Sequence, residues 1–336
     1  MKAFVLAAGV GSRLRPLTSE IPKPMVPILG KPVLHHTLNN LKKNGFHEVC
    51  INLYHKPEII TDYFKNLNFK LTYSLEKKLL GTAGAVKKNE NFFNETFAVM
   101  SGDGLSDINL KKALSYHKKK KALATIVLKE IDFRFNYGVT LTDKAGQIKS
   151  FVEKPSWKDI FTNTVNTGIY IFEPEIFKFI PKNSFFDFAM DLFPLLLKKK
   201  QKVFGYVTKD YWTDIGNICE YKKGVFDALS GKVKLDISGM KKGSSYISKS
   251  AIIDKNVKVS SHCFVDDFAI IGRGAVLKPY SVISKNVTVF ENAFLERAIV
   301  WNDSMVKRSA SLTDSVVGLD CVVPENIILH DSILMN

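Results

Sequence analysis

Up to about residue 230 the chain alternates short apolar runs with segments whose apolar positions recur at helical spacing. AFVLAA (3–8) reads as a buried strand. In PVLHHTLNNLKKNG the apolar residues Val33, Leu34, Leu38 and Leu41 share one face, which predicts a helix, and Gly45 stands where its C-terminal cap belongs. EVCINL is the next strand, PEIITDYFKNL the next helix, and FAVMSGD a third strand ending in an acid. This alternation specifies an α/β domain on a largely parallel sheet. Ligands bind such sheets beyond the carboxyl ends of the strands, where residues 9–15 and 102–103 both fall.

The last third changes period. From Ile253 every sixth residue is bulky and apolar: Val259, Val265, Ile271, Leu277, Ile283, Val289, Leu295 and Trp301. The residue two before each, from Ala251 to Ile299, is almost always small or branched. A six-residue period sustained this long fits neither a helix nor an ordinary strand. It predicts hexapeptide repeats, each forming one side of a triangular β-helix coil, with the bulky residue inside and the small one in the corner. The phase slips near residues 304–308. The lysine-, glycine- and serine-rich stretch GKVKLDISGMKKGSSY reads as a linker. The expected division is therefore a first domain at 1–230, a linker at 231–250 and a β-helix at 251–336.

Composition changes this picture little. The 336 residues suit two domains, and the apolar and charged fractions are ordinary for a globular protein. The net charge of +15 lies partly in lysine clusters such as Lys118–Lys121 and Lys198–Lys200, which read as solvated surface. No zinc-finger spacing, aromatic RNA-binding signature or basic heptad region accompanies it, so nucleic acid is not the expected partner. A positive field would suit polyphosphate substrates. Cys50, Cys219, Cys263 and Cys321 are scattered without paired spacing, as in reduced cytoplasmic proteins. No segment is long and apolar enough for a signal peptide or membrane span, and a cytoplasmic location is expected.

The chemistry concentrates in LAAGVGSRLRPLTSEIPKPMVPI (6–28). Gly9 and Gly11 after a strand let the backbone approach a phosphate closely. The third glycine of a dinucleotide fingerprint is replaced by Leu14, and no GKS or GKT follows, so this is not a P-loop. Arg13 and Arg15 follow, then Lys23 between Pro22 and Pro24, whose rings stiffen the backbone and fix the direction of the lysine. Asp103 in MSGDG and Asp214 in YWTDIG each end a strand. Two hard carboxylates from distant positions are what a Mg²⁺ bridging phosphates requires, although each alone would also suit a turn or cap.

The ordered motifs GVGSRLRPLT…PKPMVPI, LGTAG, SGDGLSD, YGV, VEKP, NTGIYIF and YWTDIG resemble those of sugar-1-phosphate nucleotidyltransferases. The likeness is strongest to mannose-1-phosphate guanylyltransferases with a C-terminal left-handed β-helix. It implies a Rossmann-like catalytic domain and Mg²⁺-dependent synthesis of a nucleotide sugar from NTP and sugar 1-phosphate. It further implies that Gly9, Gly11, Ser12, Gly81 and Thr82 bind the nucleotide. By the same resemblance Arg13 holds the departing pyrophosphate, Lys23 the α-phosphate, and Asp103 and Asp214 the metal. Lys154 would bind the sugar phosphate, while Glu153, Asn166 and the backbone of Gly138 hold sugar hydroxyls. Such a reaction needs positioning and charge neutralisation rather than a general base, which accounts for the lack of a catalytic His or Ser constellation.

Glu76 bears on the base. It lies five residues before Gly81, where uridine- and thymidine-using relatives resemble one another in having glutamine. A carboxylate only accepts, so it matches the paired N1–H and 2-amino donors of guanine and repels the carbonyls flanking N3–H of uracil or thymine. A solvated loop acid beside Lys77 and Lys78 is the plain alternative. GTP and, by resemblance, mannose 1-phosphate are the expected substrates. Glucose or heptose 1-phosphate, or UTP, dTTP or ATP, remain alternatives. So does a non-catalytic regulatory subunit. Acyl transfer on the β-helix would rest on His262 alone. Self-association through the β-helix is expected, with Phe264, Phe268, Tyr280 and Phe290 as exposed apolar area.

Overall fold

A computed structural model describes residues 1–131, 138–153 and 162–336. They form two compact units: Met1–Gly11, Pro22–Met25 and Val33–Asp214 make the first, and Ser12–Ile21, Val26–Pro32 and Ile215–Asn336 the second.

In the first unit the predicted alternation appears as β1 (Lys2–Leu6), α1 (Val33–Lys43), β2 (Glu48–Leu53), α2 (Pro57–Phe64), β3 (Lys70–Leu75), α3 (Gly81–Lys88) and β4 (Phe97–Ser101). Strands β4, β1, β2 and β3 lie side by side, all parallel. The cap of α1 is as expected: Gly45 takes φ +88°, and its N–H reaches the carbonyl of Lys42 at 3.1 Å. The chain continues through β5 (Gly104–Ser106), α4 (Leu110–Lys120), β6 (Ala124–Glu130), β7 (Val139–Thr142), β8 (Ile148–Val152), β9 (Thr164–Phe172), α5 (Phe193–Lys198), β10 (Val203–Thr208) and β11 (Trp212–Asp214). Strand β9 runs antiparallel to β4 and β6 and joins the parallel core to further strands, nine in all among the described residues. Rings of Phe97 and Phe177 stack 5.5 Å apart in the core beneath, and burying each such side chain contributes roughly 1.5–3 kcal/mol.

The second unit contains α6 (Ile218–Leu229) and the β-helix, in which three parallel sheets each take one short strand from every coil. Val265, Ile271, Leu277, Ile283, Val289 and Leu295 line its buried core as predicted. The slip comes earlier than expected. Rungs pair at a separation of eighteen residues (Ile252 with Ile270, Ile270 with Thr288) and then of seventeen (Thr288 with Met305, Met305 with Val322). From there the same corner is one residue short in each coil, first between Leu295 and Val300 and again between Leu312 and Val317, so Val300 is the inward residue and Trp301 is not. The stretch expected as a linker contributes a rung: Ser245–Ile247 pairs in parallel with Phe264–Val265.

Trp301 instead serves α6. Tyr221 is wholly buried, donates its hydroxyl to the Pro27 carbonyl at 3.0 Å and accepts from Trp301 Nε1 at 2.8 Å. Phe226 meets Tyr280 on the same side, with ring centroids 5.3 Å apart. Phe264, expected on an exposed flat side, is only 1% exposed, and its sheet neighbours Val282, Ile299 and Val316 are buried too. Gly30, at φ +80°, explains part of that cover: a Cβ there would lie 3.2 Å from the Phe264 ring. His262 stacks on Tyr280. All four cysteines are free, and Cys219 alone among them is exposed. Among the described residues no helix is long and apolar enough to cross a membrane.

Tyr221→Phe removes the acceptor of a buried indole N–H and the donor to a carbonyl. It should lower the unfolding free energy of the full chain by about 1–3 kcal/mol in urea denaturation, with the native circular dichroism spectrum unchanged.

Candidate active site

A cavity of about 250 Å³ opens in the first unit, lined by residues from β1, Lys23–Pro24, β2, the start of α3, the end of β4 and the 185–187 loop. Gly9, Lys23, Glu76, Gly81, Thr82 and Asp103, all named from the sequence, are among its lining residues.

Lys23 is buried, held in a short turn whose Met25 N–H reaches the Pro22 carbonyl at 2.8 Å. Its ammonium lies 2.5 Å from Asp103 Oδ2 and 3.4 Å from Asp214 Oδ1. Two features of the backbone bring these acids together. Gly102 lets the chain turn over the end of β1, since a Cβ there would sit 3.0 Å from the Leu6 carbonyl. Strand β11 then pairs antiparallel with β5, setting Asp214 directly opposite Gly104. Burial alone would raise the Asp103 carboxyl, but the Lys23 ammonium and a hydrogen bond from the Ser101 hydroxyl outweigh it and hold the group below its ordinary value. Asp103 is therefore a carboxylate throughout the neutral range.

Glu76 is 4% exposed, unlike the solvated acid that its lysine neighbours would suggest. Asn52, the one amide in the apolar run of β2, donates to Glu76 Oε1 at 2.7 Å and accepts from the Ala7 N–H at 2.8 Å. The Leu80 N–H donates to Oε2 at 2.9 Å. The carboxylate is thus fixed at the cavity wall by two strands and the entry to α3.

The 184–188 loop packs against α3 so closely that only glycine fits. A Cβ on Gly81 (φ +71°) would lie 2.6 Å from the Phe186 carbonyl oxygen, and one on Gly84 would lie 2.6 Å from that of Ser184. Thr82 locks the loop, donating to Asp187 Oδ2 and accepting from the Phe188 N–H, each at 2.8 Å. Sequence reasoning missed Asn52, Ser101, Phe185 and Asp187. The signal available for Asn52 was its polarity within a buried strand; the loop residues offered none.

The proposed sugar residues form a neighbouring group. Asn166 N–H donates to the Gly138 carbonyl at 2.8 Å, and a Cβ on Gly138 would lie 2.5 Å from Glu153 Oε2. The Asn166 amide donates to Tyr170 Oη at 2.9 Å and accepts from the Gly168 N–H at 3.0 Å. Gly168, at φ +73°, abuts Ser101, which hydrogen bonds Asp103. Gly11 is in the first unit with φ +71°. Ser12 and Arg13 open a single-turn segment, Ser12–Leu14, that belongs to the second unit; both are exposed, and neither lines the cavity. Lys154 lies outside the described residues.

A half-parallel sheet with glycines, a fixed lysine and paired carboxylates beyond its strand ends defines an enzyme class that handles phosphorylated nucleotides. The chain belongs to the nucleotidyl transferase family, which it matches over residues 2–230, and within it to the sugar-1-phosphate nucleotidyltransferases. Residues 259–335 match the GMPPB C-terminal domain. It is 34% identical to a UTP–glucose-1-phosphate uridylyltransferase of Synechocystis, with 96% of this chain and 88% of that one aligned. It is 32% identical to mannose-1-phosphate guanylyltransferase 1 of Arabidopsis thaliana, over 95% and 86% of the two chains. The crystal structure of HddC from Yersinia pseudotuberculosis, complexed with GMP-PN, superposes with a TM-score of 0.58 at 30% identity, covering 67% of this chain and 97% of that one.

Gly81→Ala should lower stability by about 1–3 kcal/mol in denaturant titration, because a left-handed backbone and a carbonyl clash coincide there. Nucleotide binding measured by calorimetry should weaken with it, as the displaced loop is part of the cavity wall.

Proposed function

We propose that this chain transfers a guanylyl group from GTP to mannose 1-phosphate, giving GDP-mannose and pyrophosphate. The observation that carries the reading is one cavity whose lining includes both Lys23, paired with Asp103 and Asp214, and the anchored carboxylate of Glu76. An oxygen of the sugar phosphate attacks the α-phosphorus in line; the new P–O bond forms as the bond to pyrophosphate breaks. That oxygen is already anionic at neutral pH, so no side chain has to remove a proton. Lys23 leaves its carboxylates to take up charge on the α-phosphate, and Arg13 holds the pyrophosphate.

Gly9, Gly11, Ser12, Gly81 and Thr82 bind the nucleotide. Gly138, Glu153, Lys154 and Asn166 bind the sugar phosphate. Asp103 and Asp214 fit Mg²⁺, because hard oxygen donors in ones and twos, completed by substrate phosphates and water, are its usual protein ligands. When bound, the ion neutralises phosphate charge. The catalytic domain would span 1–230 and the β-helix 251–336, with the 231–250 connection adding the 245–247 rung, in a cytoplasmic homo-oligomer associating through the β-helix.

Guanine is supported by Glu76. A carboxylate has about four acceptor directions, and Asn52 and Leu80 use one on each oxygen, leaving one on each for N1–H and the 2-amino group. A second reading, uridylyl transfer to glucose 1-phosphate, is favoured by the 34% identity to the Synechocystis enzyme.

Pyrophosphate release with mannose 1-phosphate, Mg²⁺ and each of GTP, UTP, dTTP, ATP and CTP should be fastest with GTP. Preference for UTP, repeated with glucose 1-phosphate, would establish the second reading; silence with every pair would leave a regulatory subunit. Lys23→Ala and Asp103→Asn should each lower kcat by about 10²–10³-fold. Glu76→Gln should shift the GTP-to-UTP ratio of kcat/KM toward UTP by at least about tenfold.

A further inference from the structure

A second cavity lies wholly within the second unit, where α6 runs beside one corner of the β-helix. Its volume is about 630 Å³, against about 250 Å³ in the candidate active site, and the two share no lining residue. That size suits a small molecule. The corner is a column: the backbone N–H groups of Tyr280, Arg297, Asp314 and Asp331 each reach a carbonyl of the preceding coil at 3.0–3.1 Å. All four residues line the cavity.

The charges around it are ordered. Four cations, Lys222, Lys223, Lys232 and Arg297, stand against three carboxylates, Asp227, Asp314 and Asp331. The carboxylates act as anchors for the cations. Lys222 Nζ donates to Asp331 Oδ1 at 2.7 Å and to the Asp314 carbonyl at 2.9 Å. Asp227 receives Lys232 on Oδ1 at 2.8 Å and Lys223 on Oδ2 at 2.5 Å. Each acid is thus engaged, and the surplus in the cavity is positive.

Arg297 is held on two sides. Its Nε donates to Asp314 Oδ1 at 2.6 Å, and its guanidinium lies over Phe226, 4.7 Å from the ring centroid. These contacts fix the plane of the group and use one of its five N–H donors. The other four are on the terminal nitrogens, in the planar fork that matches phosphate oxygens.

Backbone strain falls at the same place. Tyr280 and Arg297 take left-handed conformations, at φ +65° and +48°. At most other corners Asn or Asp holds that conformation, as at Asn286, Asn292, Asp303 and Asp320. Those short side chains tolerate it far better than Tyr or Arg does. Strain of this type gathers where side chains must be aimed at a ligand.

We propose that this cavity binds a phosphate ester, its phosphoryl oxygens on Lys232 and Arg297 and its organic part beside Tyr280. A phosphoryl dianion neutralises the surplus charge and takes up the arginine fork. A neutral sugar does neither, and a cation would meet only carboxylates that already have partners. Nucleotides, sugar phosphates and pyrophosphate all carry the recognised group, and the experiment separates them. The site does not depend on which nucleotide or sugar the first unit uses.

The test is hydrogen exchange of the wild-type full chain, read by mass spectrometry, with GDP, mannose 1-phosphate or pyrophosphate each added at millimolar concentration. At least one of them should slow exchange in peptides covering 218–232 and 295–299, because a bound ligand suppresses local opening. Protection by GDP or mannose 1-phosphate and not by pyrophosphate is expected for an ester. Protection by pyrophosphate alone would overturn the place given to Tyr280. Slowing confined to the peptides of the candidate active site, or no slowing at all, would overturn the proposal. The Lys232 side chain is 64% exposed, so Lys232→Glu should fold as the wild type does. It sets a second carboxylate beside Asp227 and should raise the dissociation constant at this site at least about tenfold, with kcat and KM unchanged. Arg297→Lys keeps the charge, loses the fork and should weaken binding by a similar factor. Undiminished protection of 218–232 in both variants would overturn the site.

Discussion

Everything in the first unit is arranged around a buried ammonium that two carboxylates hold in place. Lys23 has left bulk water, and an isolated cation in that position would be costly. Asp103 and Asp214 offset the cost, and the ammonium in turn holds the Asp103 carboxyl below its ordinary value. The three residues come from a turn near the start of the chain, the end of β4 and the end of β11, so the pairing is also a long-range tie. Gly102 and the β5–β11 ladder are needed only because those ends must meet. The result is a set of strong charges gathered beside the cavity, and the ammonium must exchange its carboxylate partners for phosphate oxygens to play its proposed part.

The cavity wall repeats the logic with neutral donors. Glu76 would be expensive to bury alone, and Asn52 and Leu80 satisfy it from opposite sides. Asn52 also holds the end of β1 through Ala7, so the Glu76 side of the wall and the end of β1 share one amide. On the other side, two glycines and Thr82 fix a loop that carries Phe185 and Asp187 to the cavity.

Fold class was legible because periodicity was strong in both halves: three- and four-residue spacing in α1, six-residue spacing in the coils. Lys23 stood out between its two prolines, Asp103 beyond an apolar strand, and Glu76 by its distance from LGTAG, and one cavity wall includes all three. What stayed hidden depends on contacts between distant segments. No local pattern announces that Asn52 will bridge Ala7 and Glu76, or that Asp187 will meet Thr82. Nor could spacing alone show that one corner is short, since Trp301 fits the hexad by size yet packs on Tyr221. Phe264 looked exposed for the same reason: the residues that cover it, Gly30 among them, lie far away in sequence.

The shortened corner also says what the β-helix preserves. Past Leu295 all three sheets step by seventeen residues instead of eighteen, and their hydrogen-bonded ladders continue unbroken. The chain can therefore lose a residue at a bend without losing alignment anywhere else, because each coil is registered only against the coils next to it. Height, not sequence length, is the conserved dimension of such a solenoid. Growth or loss of whole turns is the cheap route by which it can change, while change within a strand must answer to both neighbours. Bends are the places where this domain can absorb insertions and deletions over time.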